Sequence, residues 1–272
     1  MLPLFRKQLY VVIYPDRVIL RGLGKGIRRT IVLQNEIPCL PQPDAPNWQS
    51  ALSTFEYWLA SSEVKEADVT ITLSNHFVRY SLIHDSTEIS SRDEAQTMAK
   101  ILFEEIYGSP AKQWEFAIEE GIDGESRLIA AIDLDFLNGI VEILKISSMR
   151  LSAITPYFVS VFNRFHRQIP NSGCFFALVE RDLMMLVTFN NSNLASIRRF
   201  TLNSVLDPQF STVLLREVLT SGLAMENVPV YLHIIDQPNI KLPDIDGVTI
   251  HLLQNPNRTE EHNPFDMVFS WN

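Results

Sequence analysis

Two short turns hold the residues best suited to chemistry. One reads Tyr14-Pro15-Asp16-Arg17 and the other Glu180-Arg181-Asp182, and each joins two runs of aliphatic, β-branched and aromatic residues. A carboxylate at such a turn is placed to hold a divalent cation and its waters while backbone N–H groups approach a phosphate. That chemistry favours glycine beside the carboxylate, and neither turn supplies it. Pro15 removes a donor and fixes φ, Tyr14 and Arg17 are bulky, and Arg181 fills the middle of the second turn with no glycine after it. Asp16, Arg17, Arg181 and Asp182 are therefore poorly suited to a phosphate, and exposed turn carboxylates are the plainer reading of the two aspartates.

Other chemistries have less behind them. Gly22-Leu23-Gly24-Lys25-Gly26 lacks the Gly-Lys-Ser/Thr ending of a phosphate cradle and joins two strands where a helix should open, so it reads as a tight turn. The first strand, Leu9 to Tyr14, contains no carboxylate, which removes a metal-dependent nuclease of the ribonuclease H type. The histidines, His76, His84, His166, His233, His251 and His262, form no short metal-ligand pair, and no Ser or Cys sits in a nucleophile elbow. Ser74-Asn75-His76 has the residue types of a hydrolytic site but no recognisable partner aspartate, and reads as a solvated loop. Arg164, Arg167, Arg198 and Arg199 read as solvated helix and strand faces, or as one basic patch for anionic lipid or an acidic partner. Neither a catalytic residue nor a metal site is expected.

With 272 residues, 46% of them hydrophobic, and a mean hydropathy of +0.03, the chain can bury one large core or two smaller ones. A net charge of −9 argues against nucleic acid as the main partner. No apolar run approaches the roughly 20 residues of a membrane helix, and Met1 to Lys7 lacks the pattern of a signal peptide, so the chain is expected in the cytoplasm. Cys39 and Cys174 suggest neither a disulfide framework nor a metal site.

The elements that must position the turns occur twice. Strands Gln8 to Tyr14, Arg17 to Leu23 and Ile27 to Asn35 precede a helix from Asn47 to Ala60 and a strand Asp68 to Ser74. Strands Cys174 to Glu180, Leu183 to Phe189 and Leu194 to Leu202 precede a helix after Asp207-Pro208 and a strand Val230 to Ile235. Asn47 is expected to cap its helix, Ser91 and Glu94 form a capping box ahead of a helix that Gly108 closes, and Asp133 caps another. The second of these should bury Ala95, Met98, Ala99, Leu102, Phe103 and Ile106, and the third Leu137, Ile140, Val141 and Leu144. Thr155-Pro156 should open a helix that buries Phe158, Phe162 and Phe165.

This order resembles the PilM-like family, the actin-fold cytoplasmic components of type IV pilus assembly, and the cytoplasmic lobe of the related GspL proteins of type II secretion. The resemblance rests on Val11 to Val18, Leu73 to Tyr80, Arg127 to Asp133 and Phe175 to Glu180. It implies an α/β, two-lobed actin-like fold, a ribonuclease H-like duplication, with a small α/β subdomain inserted in the first lobe. Residues 1–172 would form the first lobe with the insert at about 84–149, residues 173–255 the second, and 256–272 a polar spacer and apolar tail. The implied function is a non-catalytic scaffold without cofactor, held at the inner membrane by the cytoplasmic segment of a single-pass partner, with a homodimer left open. An ATP-binding or ATP-hydrolysing protein using Mg²⁺ is the alternative. The resemblance to actin-like ATPases, which hold phosphates in two such turns, makes Asp16, Arg17, Arg181 and Asp182 degenerate phosphate-loop positions.

The tail itself, Pro264 to Trp271, offers Phe265, Met267, Phe269 and Trp271 as partner-binding residues on a polar leash that spans roughly 15 to 20 Å. Such a tail can occupy the partner's groove and be displaced, or pack permanently on its own sheet. Deleting Asn263 to Asn272 is expected to leave a stable protein with tighter partner binding, read by thermal melting and peptide titration. A lowered melting temperature with unchanged affinity is the outcome that permanent packing requires.

Overall fold

The structure, a computed structural model, describes residues 7–24, 30–84, 91–119, 126–170, 173–190, 193–202, 208–223, 227–235 and 242–254. The first lobe opens with β1 (Lys7–Ile13), β2 (Arg17–Leu23) and β3 (Ile31–Pro38). Helix α1 (Gln49–Ser61) and β4 (Ala67–Leu73) follow. The second lobe opens with β9 (Cys174–Glu180), β10 (Leu183–Asn190) and β11 (Asn193–Thr201), then α5 (Pro208–Thr220) and β12 (Val228–Ile234). Each lobe completes its sheet with one more parallel strand, β8 (Arg150–Pro156) or β13 (Val248–Leu252), giving the orders β3-β2-β1-β4-β8 and β11-β10-β9-β12-β13.

The duplication extends to single hydrogen bonds. Where the third strand returns to the hairpin turn, Cys39 N–H donates to Asp16 O and Leu202 N–H to Asp182 O, both at 2.7 Å. Where the fourth strand ends, Ser74 N–H reaches Ile13 O at 2.9 Å and Ile235 N–H reaches Val179 O at 3.0 Å. Ladder pairing thus brings the end of each lobe's fourth strand beside its own hairpin turn.

Between β4 and β8 lies the inserted unit. It comprises β5 (Val78–Ile83), α2 (Arg92–Tyr107), β6 (Trp114–Ile118), β7 (Arg127–Asp133) and α3 (Leu134–Ile146), with sheet order β5-β7-β6. Ser91 caps α2 by accepting from Glu94 N–H at 3.2 Å, and Gly108, at φ +72°, returns its N–H to Glu104 O. Asp133 caps α3 through Asp135 N–H and Phe136 N–H.

Several local expectations move. The third strand, Ile31–Pro38, runs past the expected end at Asn35, while the expected start at Ile27 lies outside the described residues. Asn47 does not cap α1: its amide instead donates to His76 O at 3.2 Å, and Trp48 stands at the helix start without a side-chain cap. Helix α3 turns Phe136 and Ile143 inward and leaves Val141 exposed, because Phe136 stacks on Trp48 at 5.4 Å and meets Phe77 at 5.1 Å. Helix α4 (Tyr157–Phe165) starts after Pro156, since β8 keeps pairing with β4 through Leu73↔Pro156.

Aromatic side chains of α4 fuse the lobes. Phe158 lies 5.9 Å and Phe162 5.8 Å from Phe176 of β9, Phe162 stacks on Phe189 of β10, and Phe165 meets His233 of β12. One apolar cluster therefore runs from α1 through the first sheet and α4 to the inner face of the second sheet. Phe158 is 1% exposed, so Phe158→Ala is expected to cost roughly 3–5 kcal/mol and to lower a single melting transition common to both lobes. Calorimetry checks this, and two separable transitions would contradict a shared core.

Candidate functional site

The two turns meet at the junction of the lobes. Arg181 guanidinium reaches Asp16 Oδ2 at 2.7 Å, and Arg17 approaches the same oxygen at 3.5 Å while lying over the Tyr14 ring. Arg181 holds φ +52°, a left-handed conformation that glycine adopts more readily, so the turn keeps a glycine-like backbone with an arginine on it. The Asp16–Arg181 contact is half exposed and contributes about 0–1 kcal/mol.

A second set of contacts, deeper in the junction, involves residues that the sequence did not connect. Glu180, which ends β9, is 1% exposed, and its carboxylate accepts from the Ser74 hydroxyl, the Asn75 N–H and the Asn75 amide, the last two at 3.0 Å. Asn75 Oδ1 in turn accepts from Tyr80 hydroxyl at 2.7 Å and Phe158 N–H at 3.0 Å. Burial first, and then the charge of Glu180, pushes the Tyr80 phenol well above its ordinary range and keeps it a donor. Ser74 and Asn75 are fully buried, which corrects the reading of Ser74-Asn75-His76 as a solvated loop.

His76 completes a Ser–His–Asp line, with Nδ1 2.9 Å from Ser74 Oγ and Nε2 2.9 Å from Asp182 Oδ1. The proton order is unlike that of a hydrolase, where the serine must be accessible and give its proton to the imidazole. The Ser74 proton is committed to Glu180, so Oγ accepts from His76 Nδ1–H, while Asp182 accepts from Nε2–H. Both ring nitrogens donate, and the imidazolium is the form that the contacts favour. Burial pulls the imidazole pKa down, but hydrogen bonding and charge from Glu180, then from Asp182, raise it above its ordinary 6.5. Burial opposes ionisation of Asp182 as well, yet the His76 hydrogen bond holds its pKa below 3.8.

The four arginines do not form one patch. Arg198 and Arg199 are successive residues of β11 and face opposite sides. Arg198 pairs with Glu217 at 2.9 Å, whereas burial and then the charge of Arg79 lower the pKa of Arg199. Arg164 lies over Phe165 at 5.9 Å. Among the described residues no cluster of His, Cys, Asp and Glu has the make-up of a metal site. The tail residues Phe265, Met267, Phe269 and Trp271 lie outside the described residues.

A different feature opens between the first sheet and the insert. It is an apolar groove of about 260 Å³, lined by Leu73 of β4, Val78 of β5, Ile132 of β7, Leu137 of α3, and Ile154 and Pro156 of β8, with Arg92 and Glu115 beside it. Strand β8 is the outermost of its sheet, and its Ile154 and Pro156 form part of one wall. No helix among the described residues is long and apolar enough to cross a membrane.

No protein-family model matches the chain, and no curated protein matches it in sequence. Among solved structures it is similar to the PilM–PilN type IV pilus biogenesis complex, at 15% identity and TM-score 0.61, over 96% of this chain and 89% of that one. It is also similar to the cytoplasmic domain of EpsL, an inner membrane component of the type II secretion system of Vibrio cholerae, at 10% identity and TM-score 0.55, over 96% and 92%. A protein of Bacteroides thetaiotaomicron with an actin-like ATPase fold and unknown function matches at 13% identity and TM-score 0.57, over 85% and 82%. The fold is thus the two-lobed actin-like one that the strand order suggested.

The His76 contribution to stability is fully present below pH 6.5 and is lost as pH rises through the raised folded value. The Asp182 contribution is present above pH 3.8 and is lost as pH falls through its lowered value. Stability of the parent protein is therefore expected to decline from pH 6.5 upward, and His76→Gln to flatten that decline, as measured by urea unfolding across pH.

Proposed function

We propose that the chain is a non-catalytic actin-like scaffold, working in the cytoplasm at a type IV pilus or type II secretion-like inner-membrane assembly. Its groove receives a short extended segment of a single-pass membrane partner. The observation that carries this reading is the apolar groove between the first sheet and the insert, walled in part by Ile154 and Pro156 of the edge strand β8. A segment laid along β8 gains main-chain hydrogen bonds, and alternate side chains enter the space between Leu73, Ile132, Leu137 and Ile154. The similarity of nearly the whole chain to a pilus biogenesis complex and to the cytoplasmic domain of a secretion component supports the setting.

The turns support a role without nucleotide. A phosphate arriving between them would have to displace the Arg181 guanidinium from Asp16, and Pro15 offers it no N–H. One feature favours the alternative of ATP with Mg²⁺: Asp16 Oδ1 is buried without a hydrogen-bond partner among the described residues, and a cation could take it.

Calorimetry separates the two. ATP with Mg²⁺ is expected to show no saturable binding below millimolar concentration, and micromolar binding would overturn the nucleotide-free reading. A synthetic peptide covering the cytoplasmic segment of the membrane protein encoded beside this chain is expected to bind. Leu137→Glu should weaken that binding at least tenfold, about 1.4 kcal/mol, without lowering the melting temperature by more than a few degrees. Unchanged affinity in that variant would sink the groove assignment.

A further inference from the structure

The outer face of α2 carries an apolar row that nothing among the described residues covers. Helix α2 lies on the insert sheet through Ala95, Ala99 and Phe103. Two of these three are alanines, so the helix sits close to the sheet and its flanks stand clear of it. Met98 is 46% exposed, Ile101 52% and Ile106 53%, although the spacing had placed Met98 and Ile106 in the core. Met98 and Ile101 fall on one row with Glu94 and Glu105, spaced four, three and four residues apart. The row spans roughly 16 Å along the axis. It lies apart from the groove, to which α2 contributes only Arg92.

Charge argues what fits there. Glu104 and Glu105 occupy the last turn, where the helix dipole favours cations, and no basic residue stands in that turn. Glu104 has Lys112 at 3.8 Å, whereas Glu105 has no ion pair among the described residues. Two carboxylates held against the local dipole at the end of an apolar row favour an incoming basic group. The chain's net charge of −9 makes a second copy a poor match, because acid would face acid.

We propose that the outer face of α2 docks an amphipathic helix of a protein partner, with apolar residues over Met98 and Ile101 and Lys or Arg over Glu105. The face is separate from the partner groove and does not depend on the scaffold reading. Fluorescence anisotropy of the full chain with a labelled 18-residue leucine–lysine amphipathic helical peptide, beside the same peptide with glutamate for lysine, tests it.

The lysine peptide should bind in the micromolar range, and Met98→Ser with Ile101→Ser should weaken it at least tenfold at an unchanged melting temperature. Glu105→Lys should weaken it several-fold and reduce its salt dependence. The docking assignment is overturned if the glutamate peptide binds equally well, or if the double variant binds the lysine peptide as tightly as the parent. It is also overturned if the lysine peptide fails to bind, or if sedimentation shows a dimer of the parent chain that the double variant abolishes.

Discussion

A buried carboxylate sets the geometry of this molecule. Glu180 ends a strand of the second lobe, has almost no contact with solvent, and finds its hydrogen-bond donors in Ser74 and Asn75 of the first lobe. An ionised group in that position is costly unless its oxygens are satisfied, and removing one partner of such a set typically costs several kcal/mol. The lobes therefore have a preferred register, not merely an apolar contact. Around that point the aromatic side chains of α4 and the inner face of the second sheet close into one core. The hydrogen-bonded seam sets where the lobes sit, and the apolar cluster supplies most of what holds them there.

The two halves repeat one another in strand order and in the hydrogen bonds that close their hairpins, yet they differ where they meet. After β4 the chain turns through Ser74 and Asn75, both polar, whereas the equivalent residue after β12 is Ile235. In the network around Ser74, Asn75 and His76 the first lobe provides donors and the second provides the carboxylates, Glu180 and Asp182, while at Asp16–Arg181 the roles are reversed. A seam built from one copy against itself would place like beside like. The departure from exact repetition is what makes the junction complementary.

Much of this was legible in the sequence. Alternation and turn chemistry located the strand hairpins, and the caps at Ser91, Gly108 and Asp133 depend on neighbours within a few residues, which a local pattern records. The Ser74–Asn75–Glu180 network joins residues more than a hundred positions apart, and no period or motif encodes that pairing. His76 lacked a partner aspartate in the sequence because Asp182 lies in the other copy of the fold. Asn47 had the residue type of a cap, but tertiary contact drew its amide to His76 O instead. Helix α2 followed its periodicity in extent but not in burial, since the shallow alanine contact leaves Met98 and Ile106 outside.

The inserted unit is braced on more than one side. It is tied to the first sheet through the chain between β4 and β5, it packs on the lobe through α3, and it touches the second lobe where β5 approaches β11 and Ser126 N–H donates to Asn193 Oδ1 at 2.9 Å. A body braced at several separated points has no single axis about which to swing. The space between the insert and the first sheet thus has a set width, more a slot than a jaw. Anything bound there would have to match it by shape, with no closing lid to order.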